Sequence, residues 1–307
     1  LILQSHAKLN LFLEVRSKRR DNFHNLRTIF ERIDLSDKII LTLRKKDRKI
    51  KVICANPQVP RNSTNLCFRS AKLLQDRFNI GKGVNIRIIK KIPVGAGLGG
   101  GSSNAAAVFL GLNKLWELNL NLSRLVSLSK KIGCDVPFFI YNTNFALATQ
   151  RGDKITPLRH LKGLRLWHVV VVPKINVSTA KIYDKFDAYS GLTPHFRRSK
   201  DSNLDESAGL TRPKYDVKLF NLALRNKDLS LLGGLIFNSL EKVTLRLYPE
   251  VGRIKQQLFD LGVESILMSG SGPAVFGIVA SRKEALSVSR RLKGVLRSKR
   301  VFVTRTI

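Results

Sequence analysis

The sequence predicts a mixed protein of strands and helices, α/β or α+β, and three features carry that expectation. Ala7 to Val15 alternates with a period of two, as a strand does. Ala105, Val108, Phe109, Leu112 and Leu115 recur at three- and four-residue intervals, the pattern of an amphipathic helix. Between an alternating segment and that helix lies a glycine-rich run, so both periods occur within one stretch of chain.

In the opening segment Ala7, Leu9, Leu11, Leu13 and Val15 share one strand face, so Lys8 and Asn10 project together from the other. Ile39 to Leu43 and Ile50 to Ile53 read as two more strands across a charged turn, Arg44 to Lys49. Asn65 to Phe78 has helical spacing through Leu66, Ala71, Leu73 and Leu74. Val84 to Ile88 alternates again and leads into the glycine run, after which Ser102, Ser103 and Asn104 are natural helix N-cap residues. A second helix is expected from about Ser123 to Ile132, ending at Gly133. Cys134-Asp135-Val136-Pro137-Phe138-Phe139 then breaks the period, because proline cannot continue a helix and pushes Val136 toward extended backbone.

Leu166 to Val172 is a buried strand that opens a second domain. Residues 188–214 are polar and turn-rich, and read as a lid or a partly disordered stretch. Helical spacing returns over Val217 to Leu232, Glu250 to Leu261 and Lys283 to Leu296. Short strands at Ser265 to Met268 and Ala274 to Val279 flank Ser269-Gly270-Ser271-Gly272. No internal repeat is visible.

At 307 residues, 43% of them hydrophobic, the chain can bury a substantial core in two modest domains or one large one. Lys and Arg number 55 against 22 Asp and Glu, a net charge of +33 that attracts polyanions in general. Clusters lie at Lys18-Arg19-Arg20, Arg44 to Lys51, Arg197 to Lys200 and Arg290 to Arg300, with few aromatics interleaved. Sparse aromatics argue against a single-strand nucleic-acid platform. Solvated basic faces are the favoured reading, and a nucleic-acid partner the less favoured one. Cys54, Cys67 and Cys134 are odd in number and irregular in spacing, which speaks against a disulfide framework or a zinc site. No apolar stretch approaches the ~20 residues that span a bilayer, and no signal peptide is read at the start. The cytoplasm is the expected location, and no membrane partner is expected.

Residues 95–103 hold five glycines and two serines between a strand and a helix. Glycine lets backbone approach an anion closely and adopt positive φ, and the first amides of the helix point at the bound group with the favourable end of its dipole. A flexible linker or structural turn is the plain alternative. The flanking strand and capped helix favour phosphate. No Gly-Lys-Ser/Thr closes the run, so it is not a Walker loop, and no acidic ribose partner in a βαβ unit supports nicotinamide binding.

The run from Pro93 to Ala107 resembles the second motif of the GHMP kinase superfamily. Ala7 to Leu13 resembles the first motif and Met268-Ser269-Gly270-Ser271-Gly272-Pro273 the third, all in the family order. Ala7-Lys8-Leu9-Asn10-Leu11, Gly97 to Ala106, Cys134 to Phe138 and Tyr248-Pro249-Glu250 narrow the likeness to one branch, over nearly the whole chain. That branch uses ATP and Mg²⁺ to phosphorylate a sugar alcohol bearing a cytidine diphosphate group, on the non-mevalonate route to isopentenyl diphosphate. The likeness implies an α+β fold of two domains, 1–160 ribosomal-S5-like and 161–307 ferredoxin-like.

It further implies roles. Lys8 and Asp135 form the catalytic pair, and Pro93, Val94, Gly95, Ala96, Gly97, Leu98, Gly99, Gly100, Gly101, Ser102 and Ser103 hold ATP. Asn10 helps place the substrate. Phe23-His24 stands where the family has Tyr-His, so the ring remains and the hydroxyl is lost. Tyr183 falls where a second stacking aromatic is expected. Gly270, Ser271 and Gly272 resemble a loop that closes over the site. Singly, Lys8 reads as a solvated strand lysine, Asp135 as a cap, and Phe23 and Tyr183 as core aromatics. Ser103 is a candidate for Mg²⁺, with no metal ligand assigned. Another kinase of the superfamily and a basic nucleic-acid-associated protein on a degenerate kinase fold are the rival readings.

Overall fold

The opening alternation grows into two long partners. Strand β1 (Ile2–Lys18) pairs antiparallel with β2 (His24–Arg44) from Ile2↔Ile40 to Lys18↔His24. The computed structural model describes residues 1–190, 217–226, 228–295 and 300–307. Register shifts at His6/Ala7 and Asn10/Phe12 bracket Lys8 and Asn10, and such bulges re-aim side chains next to functional sites.

The other elements follow in order: β3 (Ile50–Cys54), α1 (Leu66–Arg77), β4 (Gly83–Ile89), α2 (Gly100–Leu115), α3 (Leu122–Ser129), α4 (Val136–Tyr141), β5 (Phe145–Gln150) and β6 (Lys154–Pro157). The second half comprises β7 (Trp167–Val172), α5 (Thr179–Ser190), α6 (Val217–Asn226), α7 (Leu229–Leu235), β8 (Phe237–Asn238), α8 (Glu241–Leu247) and α9 (Pro249–Asp260). It closes with β9 (Ser265–Met268), β10 (Val275–Val279), α10 (Arg282–Val295) and β11 (Arg300–Arg305). Among the described residues one sheet has seven strands, in the order β3-β4-β2-β1-β8 with β5 and β6 continuing from β2. The other runs β11-β7-β10-β9. Two residues of the second half, Phe237 and Asn238, add a short parallel strand to the edge of β1.

Three apolar layers hold this together. Helices α1 to α4 cover one face of the first sheet through residues such as Ala105, Val108, Phe109 and Leu112. Ala7, Leu9 and Leu11, on the strand face set by their alternation, pack against Val170, Val172 and Phe276 of the second sheet. Helices α5 and α8 to α10 cover the far face of that sheet. Among the described residues no helix is long and apolar enough to cross a membrane.

Some boundaries depart from the sequence expectation for identifiable reasons. The segment at Pro137 starts a helix, α4, instead of leaving an extended stretch. Proline sits in its first turn, where an N–H would have no intrahelical partner. The helical spacing of Val217 to Leu232 divides into α6 and α7, because Asp228 caps the second helix by accepting a hydrogen bond from Leu231 N (2.9 Å). Of the expected lid, residues 188–190 end α5 and the remainder lies outside the described residues.

Between the sheets lies a polar contact with no water access. Glu31 on β2 and His168 on β7 are both fully buried, with Oε1 and Nε2 2.9 Å apart, and Thr306 Oγ1 donates to the same carboxylate oxygen. Glu31→Ala takes the partner from the buried His168 Nε2 and the acceptor from the Thr306 hydroxyl hydrogen, whose oxygen still accepts from Leu166 N (2.8 Å). It is expected to lower stability by about 1–3 kcal/mol, read as a lower urea midpoint at an unchanged slope.

Candidate active site

Four segments converge at the junction of the sheets, around a cleft of about 720 Å³. The first is the middle of β1. Lys8 is only 4% exposed, because the strand face it occupies is covered from the side of α2 and α4. Its Nζ donates to Asn10 Oδ1, lies 3.5 Å from Asp135 Oδ2, and sits 4.8 Å from the Phe30 ring centroid. A solvated strand lysine is therefore excluded. Burial lowers the Lys8 pKa from the ordinary lysine value, and the Asp135 carboxylate opposes that shift. Asn10 is fixed from three sides: its Nδ2 donates to Thr28 Oγ1 (2.9 Å), its backbone N–H to Ser269 Oγ (3.3 Å), and its Oδ1 accepts from Lys8.

Asp135 occupies the N-cap position of α4 but makes no side-chain capping bond. Its carboxylate turns to Lys8 and stays one-third exposed to the cleft. A capping role is thus ruled out by geometry. Next to it, burial pushes the Cys134 thiol up to about 11, so that thiol stays protonated at neutral pH and is no competing nucleophile.

The second segment is the glycine run. Asp37, fully buried on β2, accepts hydrogen bonds from Lys91 N (2.7 Å) and Ile92 N (2.9 Å) and pairs with Lys90, fixing the entry. Ala96 and Leu98 anchor the run in the core between the sheets, while Val94 and Gly95 face outward. Leu98 O accepts from Lys8 N (3.0 Å) and Ala96 O from Ala274 N (3.2 Å), so the run threads between β1 and the third motif. Gly99 then adopts left-handed backbone as N-cap of α2 without a side-chain cap. Gly100, Gly101 and Ser102 follow in the first helical turn, where amides have no intrahelical acceptor. Of the two serines, Ser102 is the more open, and its hydroxyl faces Gly133 on the loop that carries Asp135. Ser103 is buried, and its Oγ accepts from Ser5 Oγ (2.8 Å).

Gly97 has φ +76°, and a Cβ there would stand 2.2 Å from Ser269 O, a backbone atom. Gly97→Ala is therefore expected to lower stability by about 1–3 kcal/mol or more and to weaken ATP binding by parting the two loops. At Gly101 a Cβ would meet only Leu66 Cδ1, at 3.7 Å. Gly101→Ala should keep or raise the melting temperature in the same thermal unfolding series, run with and without ATP.

The third segment is the turn after β9. Gly270 and Ser271 line the cleft, and Asn238 Nδ2 donates to both Met268 O (2.8 Å) and Gly270 O (2.7 Å). Gly272, at φ +84°, lies outside the cleft lining, against Met268. The fourth segment combines the tip of the β1–β2 hairpin with α5. His24 stacks on Tyr183 with ring centroids 4.9 Å apart, and its Nε2 lies 2.6 Å from Asp187 Oδ1. Burial pushes the Tyr183 phenol upward. Phe23 is exposed at the cleft mouth with the Arg151 guanidinium 5.2 Å from its ring centroid.

The structure thus brings Lys8, Asn10, Asp135, Phe23, His24, Tyr183, Gly270 and Ser271 to one cleft, together with Gly97 and Gly99 of the glycine run, whose other residues, Pro93 to Ala96, Leu98 and Gly100 to Ser103, lie outside its lining. Sequence reasoning missed Thr28, Asp37, Asp187, Asn238 and Arg151, single polar residues with no local pattern. Of the basic clusters, Arg44 to Lys51 lies away from this cleft, lining a separate depression with Phe68 and Lys72, and Arg197 to Lys200 lies outside the described residues.

Comparison with known proteins gives concordant results. The family model for the GHMP kinases N terminal domain matches residues 65–143, and that for the GHMP kinases C terminal domain matches residues 220–297. The 4-diphosphocytidyl-2-C-methyl-D-erythritol kinase of Geobacillus kaustophilus is 40% identical over 294 residues, covering 96% of this chain and 93% of that protein. The enzyme of the same name from Bacillus pumilus is 40% identical over 295 residues, with the same shares covered. A crystal structure of 4-(cytidine 5'-diphospho)-2C-methyl-D-erythritol kinase superposes with a TM-score of 0.76 at 30% identity, covering both chains fully. Homoserine kinase from Cytophaga hutchinsonii shares the fold, with a TM-score of 0.72 at 17% identity over 100% of this chain and 94% of that one.

Proposed function

This chain belongs to the GHMP kinases, and within them to the 4-diphosphocytidyl-2-C-methyl-D-erythritol kinase family, and from that premise we propose how its cleft phosphorylates the 2-hydroxyl of that compound. The observation that carries the assignment of roles is the buried Lys8 ammonium 3.5 Å from a carboxylate, Asp135, that has no other ion-pair or hydrogen-bond partner among the described residues. Asp135 would accept the proton of the 2-hydroxyl as its oxygen bonds to the γ-phosphorus of ATP and the bond to the β–γ bridging oxygen breaks, releasing ADP. Lys8 stabilises the charge growing on the attacking oxygen. Asn10, held by Thr28 and Ser269, orients the alcohol. The first-turn amides of α2, with Gly95 and Ser102, bind the phosphates of ATP at the positive end of the helix dipole. Gly270 and Ser271 flank the same cleft from the second sheet.

Magnesium ions at phosphoryl-transfer sites draw most of their oxygens from phosphates and water and neutralise the phosphoryl charge. Asp135 and Ser102 are the side-chain oxygens at the loop mouth that fit such an ion. Ser103, turned into the α2–β1 contact, fits less well. At the other end of the cleft Phe23, His24 and Tyr183 suit the cytosine ring of a substrate carrying cytidine diphosphate. We propose the division of the chain into domains 1–160 and 161–307, a cut that falls in the stretch between β6 and β7.

The test is ADP release by the purified protein with ATP, Mg²⁺ and a panel of alcohols. Turnover of 4-diphosphocytidyl-2-C-methyl-D-erythritol, with homoserine and mevalonate inert, is the expected result. Turnover of another alcohol with none of this substrate would reassign the chain to a different GHMP kinase. Salt-sensitive RNA binding with no ATP turnover would favour the nucleic-acid reading.

A further inference from the structure

Away from the cleft, the hairpin joining β2 to β3 meets α1 across a second hollow of about 530 Å³. Its hairpin side carries Arg44, Arg48, Lys49 and Lys51. Its helix side carries Phe68, Lys72 and Gln75, which their spacing places on one face of α1. Among the described residues β3 ends its sheet, so no further strand covers the exposed Lys51.

The basic hairpin is held in place from three directions. Asp47 accepts from Arg44 Nε (2.8 Å) and from Lys49 N (3.0 Å), which folds the turn. Lys49 O accepts from Val84 N (3.0 Å), and a Cβ on residue 83 would stand 2.2 Å from that oxygen, so the turn lies against Gly83 of β4. Gln75 Nε2 donates to Arg48 O (2.8 Å) and ties the turn to α1.

The carboxylates nearby are already engaged, Asp47 with Arg44 and Asp76 with Lys72. Arg48, Lys49 and Lys51 are exposed, and among the described residues their side chains have no ion-pair or hydrogen-bond partner. Three like charges held close together repel, and a bound anion relieves that repulsion. Between them and the helix stands the half-buried ring of Phe68.

We propose that this hollow binds a single strand of nucleic acid, with one base stacked on Phe68 and the neighbouring phosphates on Arg48, Lys49 and Lys51. Cations that track a backbone around an aromatic ring that takes a base are the two parts such a site needs. The basic cluster contains no aromatic of its own, which is why the sequence speaks against a platform here; the fold brings one from α1. An acidic peptide has no base for the ring, a duplex keeps its bases stacked inside, and a flat bilayer does not enter a hollow.

The test is fluorescence anisotropy of a labelled oligo(U) dodecamer with the full chain across salt concentrations. Three phosphate contacts predict a log–log salt slope of about −2. The double variant Lys49→Glu, Lys51→Glu should weaken binding at least tenfold and flatten that slope. Arg290→Glu with Arg291→Glu changes the net charge equally on exposed positions of α10, and screening over that distance should limit its effect to about twofold. Equal losses in the two double variants would reduce the binding to the general field of the protein and overturn the site. Phe68→Leu should weaken binding about tenfold, the loss of one stacked base, at an unchanged slope. If that variant fails to fold, the exposed lysines still decide. A duplex that binds as tightly as the single strand, or displacement of the strand by poly-glutamate or phosphatidylserine vesicles, would overturn the proposal in favour of those partners. ADP release by the Lys49→Glu, Lys51→Glu protein should match wild type, because neither residue lines the cleft. Strand binding without ADP release would sink the kinase reading alone, and ADP release without strand binding would sink this site alone.

Discussion

Asp135→Asn is expected to lower kcat by about 10²–10⁴-fold, the span usual for removing a general base, with the fold and ATP binding retained. The case rests on what the carboxylate does not do. It sits at the start of α4 without bonding that helix's amides, so asparagine removes no cap. It is one-third exposed, so the amide can be hydrated. Among the described residues its one ion-pair partner is Lys8, and that ammonium retains Asn10 Oδ1 as an acceptor. An amide of the same shape therefore changes the proton affinity of the site and little else. Asp135 is also the group that raises the Lys8 pKa against burial, so its loss lets that pKa fall further. Steady-state kinetics with far-UV circular dichroism and ATP binding separate these effects. A variant that keeps more than a tenth of wild-type kcat would mean that the hydroxyl loses its proton to some other group.

The parts of this fold that were legible in the sequence are those set by local periodicity. Ala7, Leu9 and Leu11 form the inner face of β1 because a strand repeats every two residues, and α2 buries the residues its spacing marks. The length of β2 was not legible. Glu31, Arg32 and Asp37 interrupt its apolar pattern, and each finds a distant partner there: His168 for Glu31, Asn142 for Arg32 and Lys90 for Asp37. The segment at Pro137 is expected to break the helical period, yet the proline opens α4, since the rule depends on which turn the residue occupies. The same limit holds at the site. A glycine run between a strand and a helix announces phosphate chemistry locally. That Lys8 meets Asp135, or that Asp187 meets His24, depends on tertiary contacts that no window of sequence contains, and there the family likeness supplied the candidates that local reasoning could not rank.

Lys8→Met separates function from stability most sharply. Loss of the ammonium should cut kcat by about 10²–10³-fold, as losing one preorganised electrostatic group does, with little change in ATP affinity. Stability should move the other way or stay level. Burial depresses the Lys8 pKa below that of an unfolded lysine, so the unfolded chain binds the proton more tightly. By linkage, that difference costs stability below the folded pKa, and the cost is relieved as pH rises through it. Methionine fills a similar volume with no charge to desolvate, and the abandoned Asp135 carboxylate is exposed enough to be hydrated. The variant should therefore melt at or above the wild-type temperature near neutral pH, and the gap should narrow toward high pH. A clear loss of stability would mean that Lys8 is a structural ion, held in place by the fold for its own sake. A level or raised melting temperature with activity gone would instead identify a charge kept buried for chemistry, at a cost the fold carries elsewhere.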